Sequence, residues 1–132
     1  MTDRVHSSIR TPLGRVRYLG SAKHGTGHFW RQRLTSAANV PLTIAFILIV
    51  MSLLGRNHAA VVQILGSSFV SITMLLFIIS SVYHMWLGMQ VIIEDYVHDE
   101  NWKIVSLMAN TFFSFAVGLA AAFAILKLSF GF

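Results

Sequence analysis

The 132-residue sequence predicts an all-α membrane protein with three transmembrane helices, its N-terminus cytoplasmic and its C-terminus outside. Three observations carry this reading. Apolar residues make up 55% of the chain and charged ones only 11%, against roughly 25% charged in an average soluble domain. Three long stretches free of formal charge are separated by short polar connections. Seven of the ten Lys and Arg residues (Arg4, Arg10, Arg15, Arg17, Lys23, Arg31 and Arg33) precede the first of those stretches.

The organisation that follows is a basic arm over residues 1–33 and a three-helix transmembrane domain over 34–132. The net charge of +5 is concentrated in the arm, beside a membrane segment, and is not read as a nucleic-acid footprint; the expected surroundings are lipid. The arm lacks the short apolar core of a secretory signal. Arg4, Arg10, Arg15 and Arg17 lie in an acid-poor stretch, which keeps a mitochondrial presequence open. There is no cysteine, so disulfides, thiolate zinc sites and iron-sulfur ligation by this chain are excluded.

The first span lies between Arg33 and Arg56, with an almost wholly apolar run from Pro41 to Leu54. About 20 such residues cross a ~30 Å hydrocarbon core. Pro41 is expected in the first turn of this helix, where its missing N–H costs little. Gly55, Arg56 and Asn57 make the first connection. The uncharged stretch from Ala59 to Ile93 is too long for one crossing and too short for two with a turn, so a single tilted helix extending beyond the lipid is expected. Asp99, Glu100 and Asn101 make the second connection, and the third span is Ile104 to Leu126, between Lys103 and Lys127. Arg56 alone in the first connection and Lys127 near the end do not outweigh the arm. The bias of cations therefore places the arm and the Glu94–Lys103 loop in the cytoplasm.

An ionisable residue inside a membrane span raises a functional hypothesis, and His84 is the one histidine well inside an apolar run. It lies ten residues before Glu94, thus ~15 Å from the water boundary and close to the bilayer midplane. Ser80 and Gly88, one helical turn to either side, are small and would let a flat ligand approach. Axial ligation of a haem iron is one reading. A neutral histidine hydrogen-bonded to a neighbouring helix is the other. Met74, Met85 and Met89 offer no straightforward second axial ligand; Met85 and Met89 are too close to His84 on one helix, so haem would require a partner chain.

Asp95 is eleven residues after His84 and returns to within ~20° of the same helix face; Tyr96 is one step around. A phenol and a carboxylate at the water boundary can donate hydrogen bonds and protons to a quinone. They serve equally as an interfacial belt residue and a loop acid. Trp30, Trp86 and Trp102 fit interfacial or packing positions. Gly118 with Ala120, Ala121, Ala122 and Ala124 is expected to form a close-packing face on the third helix.

Two segments carry a resemblance to a known family: SAKHGTGHFWRQRLT, Ser21 to Thr35, and HMWLGMQVIIEDYV, His84 to Val97. With the three-span layout, they resemble the hydrophobic membrane anchor (D) subunit of succinate dehydrogenase, respiratory complex II. The more specific signal is the second segment, where a histidine, a tryptophan two later, a glycine four later and Asp-Tyr starting eleven later coincide. The resemblance implies that His84 is an axial ligand to a b-type haem shared with a second, C-type anchor subunit, and that Tyr96 hydrogen-bonds ubiquinone. It implies that Asp95 belongs to the quinone site and that Arg33 lies near the haem propionates. It further implies partners carrying FAD (the flavoprotein) and iron-sulfur clusters (the iron-sulfur subunit), which this chain docks to the membrane, and no catalysis by the isolated chain. The bacterial inner membrane is the implied location, with the mitochondrial inner membrane as alternative. A fumarate reductase anchor, or a cofactor-free structural or assembly membrane protein, remains open.

Overall fold

A computed structural model describes Thr11, Leu13 and residues 25–131. Arg4, Arg10, Arg15, Arg17 and Lys23 of the basic arm lie outside the described residues, as do the first residues of the Ser21–Thr35 segment. Among the described residues there are four helices of eight residues or more and no strand: α1 (Gly25–Leu53), α2 (His58–Leu65), α3 (Ser68–Tyr96) and α4 (Glu100–Phe130). Helices α1, α3 and α4 are long and apolar enough to cross a membrane, each containing an 18-residue stretch of high mean hydropathy (2.0, 1.7 and 1.9). At ~1.5 Å per residue each exceeds ~40 Å and so extends past a ~30 Å hydrocarbon core or tilts within it.

The second uncharged stretch differs from expectation. It is not one helix but two, α2 and α3, broken at Gly66 and Ser67. The chain turns at Ser67, whose backbone is extended (φ −67°, ψ 135°), and the turn is tight: a Cβ on Gly66 would stand 2.9 Å from the Val62 carbonyl oxygen and 3.1 Å from that of Leu128. Hydroxyls satisfy carbonyls at the break. Ser71 Oγ donates to the Leu65 oxygen at 2.7 Å, and Ser67 Oγ to the Ile64 oxygen at 2.9 Å. The excess length of the stretch is thus taken up by a short extra helix instead of an overlong span.

Pro41 also departs from its expected place. Helix α1 begins at Gly25, so Pro41 lies in its interior and not in its first turn. The last nine residues of the 1–33 arm are continuous with the span. An interior proline costs ~3 kcal/mol in water but is tolerated in membrane helices, where neighbours resatisfy the backbone. The other ends follow local rules. Asn57 and Asp99 cap α2 and α4 by accepting from the Ala60 and Trp102 amides at 2.9 and 3.0 Å. Gly131, at φ +74°, ends α4 in the left-handed conformation that favours glycine.

Helix α3 is the centre of the assembly. It packs on α1 along one side and α4 along another, while α1 and α4 share no contact among the described residues. Phe46 of α1 stacks on Phe77 of α3 with centroids 4.6 Å apart. On the other side Asn110 and Thr111 of α4 bond to Trp86 of α3, and Gly118 lies so close to Val82 that a Cβ would meet it at 3.2 Å. Of the small residues expected on that face, Gly118, Ala121 and Ala122 turn inward, whereas Ala120 and Ala124 are exposed.

The solvent for which this molecule is built shows in its burial. Among the described residues, the buried set is three apolar side chains (Leu87, Ile93, Ile125) and three polar ones (Ser71, Asn110, Ser114), while large residues such as Phe112, Phe115 and Phe123 are exposed. Small and polar residues at helix contacts, with bulky apolar ones outside, is the arrangement that lipid permits.

Candidate functional site: the His84 cleft

The polar residues of α1 recur at helical spacing within its span: Gln32, Thr35, Ser36, Asn39 and Thr43. Offsets of three and four keep them along one side of the helix; Gln32, Thr35 and Asn39 are half-buried there, while Ser36 and Thr43 are exposed. Because α1 and α3 run antiparallel, their register brings Thr35 to His84 across 49 residues of sequence: Thr35 Oγ1 and His84 Nδ1 are 3.0 Å apart. One turn further along, a Cβ on Gly88 would meet Gln32 Nε2 at 3.6 Å.

The Gln32 side chain of α1 thus stands beside Gly88, and Ser80 and Gly88 are both half-buried. Ser36, Asn39, Val40, Thr43 and Ile44 of α1 line, together with His84, a cleft of about 480 Å³. Val40 and Ile44 are 63% and 56% exposed, so the cleft faces away from the bundle, toward lipid or a partner. His84 is itself half-buried. Its ring is tethered through Nδ1, and Nε2 has no hydrogen-bond partner among the described residues.

Around this ring the interface contains more hydrogen-bonding capacity than it uses. Gln32 Oε1, Asn39 Oδ1 and Ser80 Oγ are buried without hydrogen-bond partners among the described residues. In hydrocarbon each such atom costs free energy, so a polar or metal-bearing group at the α1–α3 cleft is chemically suited to what is present. An imidazole with one tethered nitrogen and one free one is a fitting donor for haem iron.

The remaining expected residues are placed as follows. Arg33 is exposed on α1, its guanidinium 5.0 Å above the Phe29 ring. It stands three, seven and eleven residues before Ser36, Val40 and Ile44, on the side of α1 that lines the cleft. Tyr96 is the last residue of α3 and is 76% exposed; Asp95 is exposed beside it. Eleven and twelve helical residues separate them from His84, about 16–18 Å along the axis, so the chain holds two separate places, one at mid-span and one at the end of α3. Lys103 Nζ donates to the Glu94 carbonyl at 3.2 Å and closes the turn between α3 and α4. Thr35 is absent from the sequence reading of the site. The signal available for it was the periodic polar series on α1, which sits among residues otherwise assigned to the arm and the apolar run.

The profile of the succinate dehydrogenase/fumarate reductase transmembrane subunit family matches residues 7–124. The chain is 28% identical over 121 residues to the succinate dehydrogenase hydrophobic membrane anchor subunit of Paracoccus denitrificans, covering 92% of this chain and 93% of that one. It is 28% identical over 106 residues to the subunit of the same name from Rickettsia bellii, covering 80% and 85%. With the succinate dehydrogenase membrane anchor subunit of Reclinomonas americana it shares 32% over 110 residues, covering 81% and 82%. No solved structure matches the chain. An all-helical chain with three membrane-crossing helices, matched along nearly its whole length, belongs to the succinate dehydrogenase/fumarate reductase transmembrane subunit family.

Proposed function

We propose that this membrane anchor subunit serves a succinate:ubiquinone oxidoreductase, docks its flavoprotein and iron-sulfur subunits to an inner membrane, and helps to bind a b-type haem and ubiquinone. The observation that carries the haem assignment is the placement of His84. It is half-buried in a membrane helix, tethered through Nδ1 to Thr35, and borders a cleft that opens away from the bundle. When bound, haem supplies a one-electron store between its ferric and ferrous states. His84 would hold the iron from one side through Nε2, and a C-type anchor subunit would complete the other side. Arg33, at the arm end of the cleft-lining side of α1, would pair with the propionates.

Tyr96 and Asp95 are assigned to the quinone. Tyr96 presents a phenolic O–H outside the bundle at the end of α3, where it can donate to a quinone carbonyl oxygen, and Asp95 can relay a proton from water. Exposure of both fits a site that partner subunits complete. The cation count puts this end of α3, with the arm, in the cytoplasm. Succinate oxidation is preferred over fumarate reduction because the three relatives are succinate dehydrogenase anchors.

The test is a dithionite-reduced minus oxidised spectrum of the purified assembly, with co-purifying subunits identified by mass. A b-type signal that is lost in His84→Ala, alongside flavin and iron-sulfur partners, is the expected result. A colourless assembly would return His84 to helix packing.

A further inference from the structure

Thr35 has one hydroxyl proton and three neighbours within bonding distance. Its Oγ1 is 2.9 Å from the Arg31 carbonyl oxygen, 3.1 Å from the Gln32 carbonyl oxygen and 3.0 Å from His84 Nδ1. Both carbonyls can only accept, and both lie in the preceding turn of the same helix, so they converge on the single proton. A β-branched side chain in a helix has few χ1 states, and threonine adopts the one that makes this backward bond. The proton is thereby directed into α1, and the oxygen presents a lone pair to His84.

We propose that Thr35 is a positioning residue that fixes the tautomer of His84: Nδ1 carries the proton and donates it to Thr35 Oγ1, so Nε2 offers its lone pair to the cleft. A neutral imidazole carries one proton on one of its two nitrogens. Were the hydroxyl to donate to Nδ1 instead, the ring proton would sit on Nε2 and block it as a metal ligand. The bond also locks the ring plane, because it joins two helices at a half-buried contact. Placing an acceptor on the Nδ1 proton makes Nε2 a stronger donor, which favours the ferric over the ferrous state and lowers the haem potential.

This inference rests on the reading of His84 as a haem ligand, and the experiment separates the two. The assembled complex is prepared with Thr35→Val, which keeps the shape and removes the oxygen, Thr35→Ala, which removes both, and Thr35→Ser, which keeps the oxygen. Haem content per flavin and the midpoint potential of the b-type signal are measured by redox titration. The valine and alanine variants should raise the potential, while serine should match the wild type. The expected size is about tenfold in relative ferric binding, the lower end for losing an outer hydrogen-bond partner of a metal-bound histidine, or about 59 mV for a one-electron couple. If the valine complex does not assemble, alanine against serine decides the matter. Serine behaving like valine, or valine and alanine titrating with the wild type, overturns the role of Thr35 and leaves His84 as ligand. A wild-type complex without b-type haem overturns both.

Discussion

Asn110 Nδ2 donates to the backbone carbonyl of Trp86 at 3.1 Å, joining α4 to α3 through a side chain that is only 8% exposed. On the same pair of turns the Trp86 indole donates to Thr111 Oγ1 at 3.2 Å, and Ser114 Oγ donates to Asn110 Oδ1 at 3.4 Å. Between apolar helices in lipid no hydrophobic force favours association over lipid contact, so packing and bonds of this kind set which helix faces meet. Trp86 thus sets the α3–α4 orientation from two residues beyond His84, and the His84-bearing face is left to α1.

Asn110→Leu keeps most of the volume and removes the bond. The carbonyl it serves belongs to a helix and keeps a second lone pair's worth of bonding, so the expected loss is modest: about 0.6 kcal/mol, with ~1.7 kcal/mol as the upper bound seen for such bonds. Reversible unfolding of the detergent-solubilised chain measures it. A loss well above that range would show that Asn110 holds more than α3 against α4.

Gly66→Ala should cost more. The added Cβ would face two backbone oxygens, those of Val62 at 2.9 Å and Leu128 at 3.1 Å, and backbone cannot rotate away as a side chain can. Either α2 or the end of α4 must shift, and overpacking of this kind costs roughly 1–3 kcal/mol. Gly55→Ala probes a different mechanism, since φ at Gly55 is +72° and nothing lies within 4 Å of its Cβ position. The same unfolding assay should show a loss at each.

The three spans were legible because they depend on local quantities: uncharged length, the charges at Glu94 and Lys103, and ~1.5 Å of rise per residue. The break at Gly66 and Ser67 was not: Leu128, which packs against it, comes from the other end of the chain. The Gly-Ser-Ser at 66–68 was the local hint, outweighed by the apolar residues around it. Pro41 misled for a related reason. Treating proline as a boundary holds in water, but α1 continues through it and carries the arm's last residues, including Arg33, into the helix. Thr35 was hidden because its partner is 49 residues away, and a pairing at that range follows only once α1 and α3 are in register.

Arg33→Gln should weaken haem retention and leave α1 intact. The guanidinium lies over Phe29 at 5.0 Å, a contact worth about 0.5–1 kcal/mol at an exposed site, so its loss does not unfold the helix. A propionate would lose a bidentate charge-assisted partner, of the order of 1.5–3 kcal/mol. Haem per flavin in the washed complex should fall in Arg33→Gln, and Arg33→Lys should restore only part of it because a point charge replaces a planar fork. Full retention in Arg33→Gln would remove Arg33 from the site while leaving His84 untouched.

Tyr96→Phe separates the quinone site from the rest of the complex. Tyr96 is 76% exposed at the end of α3 and about 18 Å of helix from His84, so removing its oxygen should alter neither the bundle nor the haem spectrum. The phenol would donate to a quinone oxygen on which negative charge develops as electrons arrive, and a bond of about 1.4 kcal/mol to that oxygen corresponds to tenfold in rate. Succinate-dependent quinone reduction should therefore fall roughly tenfold, while succinate oxidation with an artificial acceptor that bypasses the membrane site stays at the wild-type level. Asp95→Asn should slow quinone reduction in the same selective way, because an amide cannot relay the proton. Loss of both activities in equal measure would mean that this end of α3 holds the partner subunits in place and does not donate to quinone.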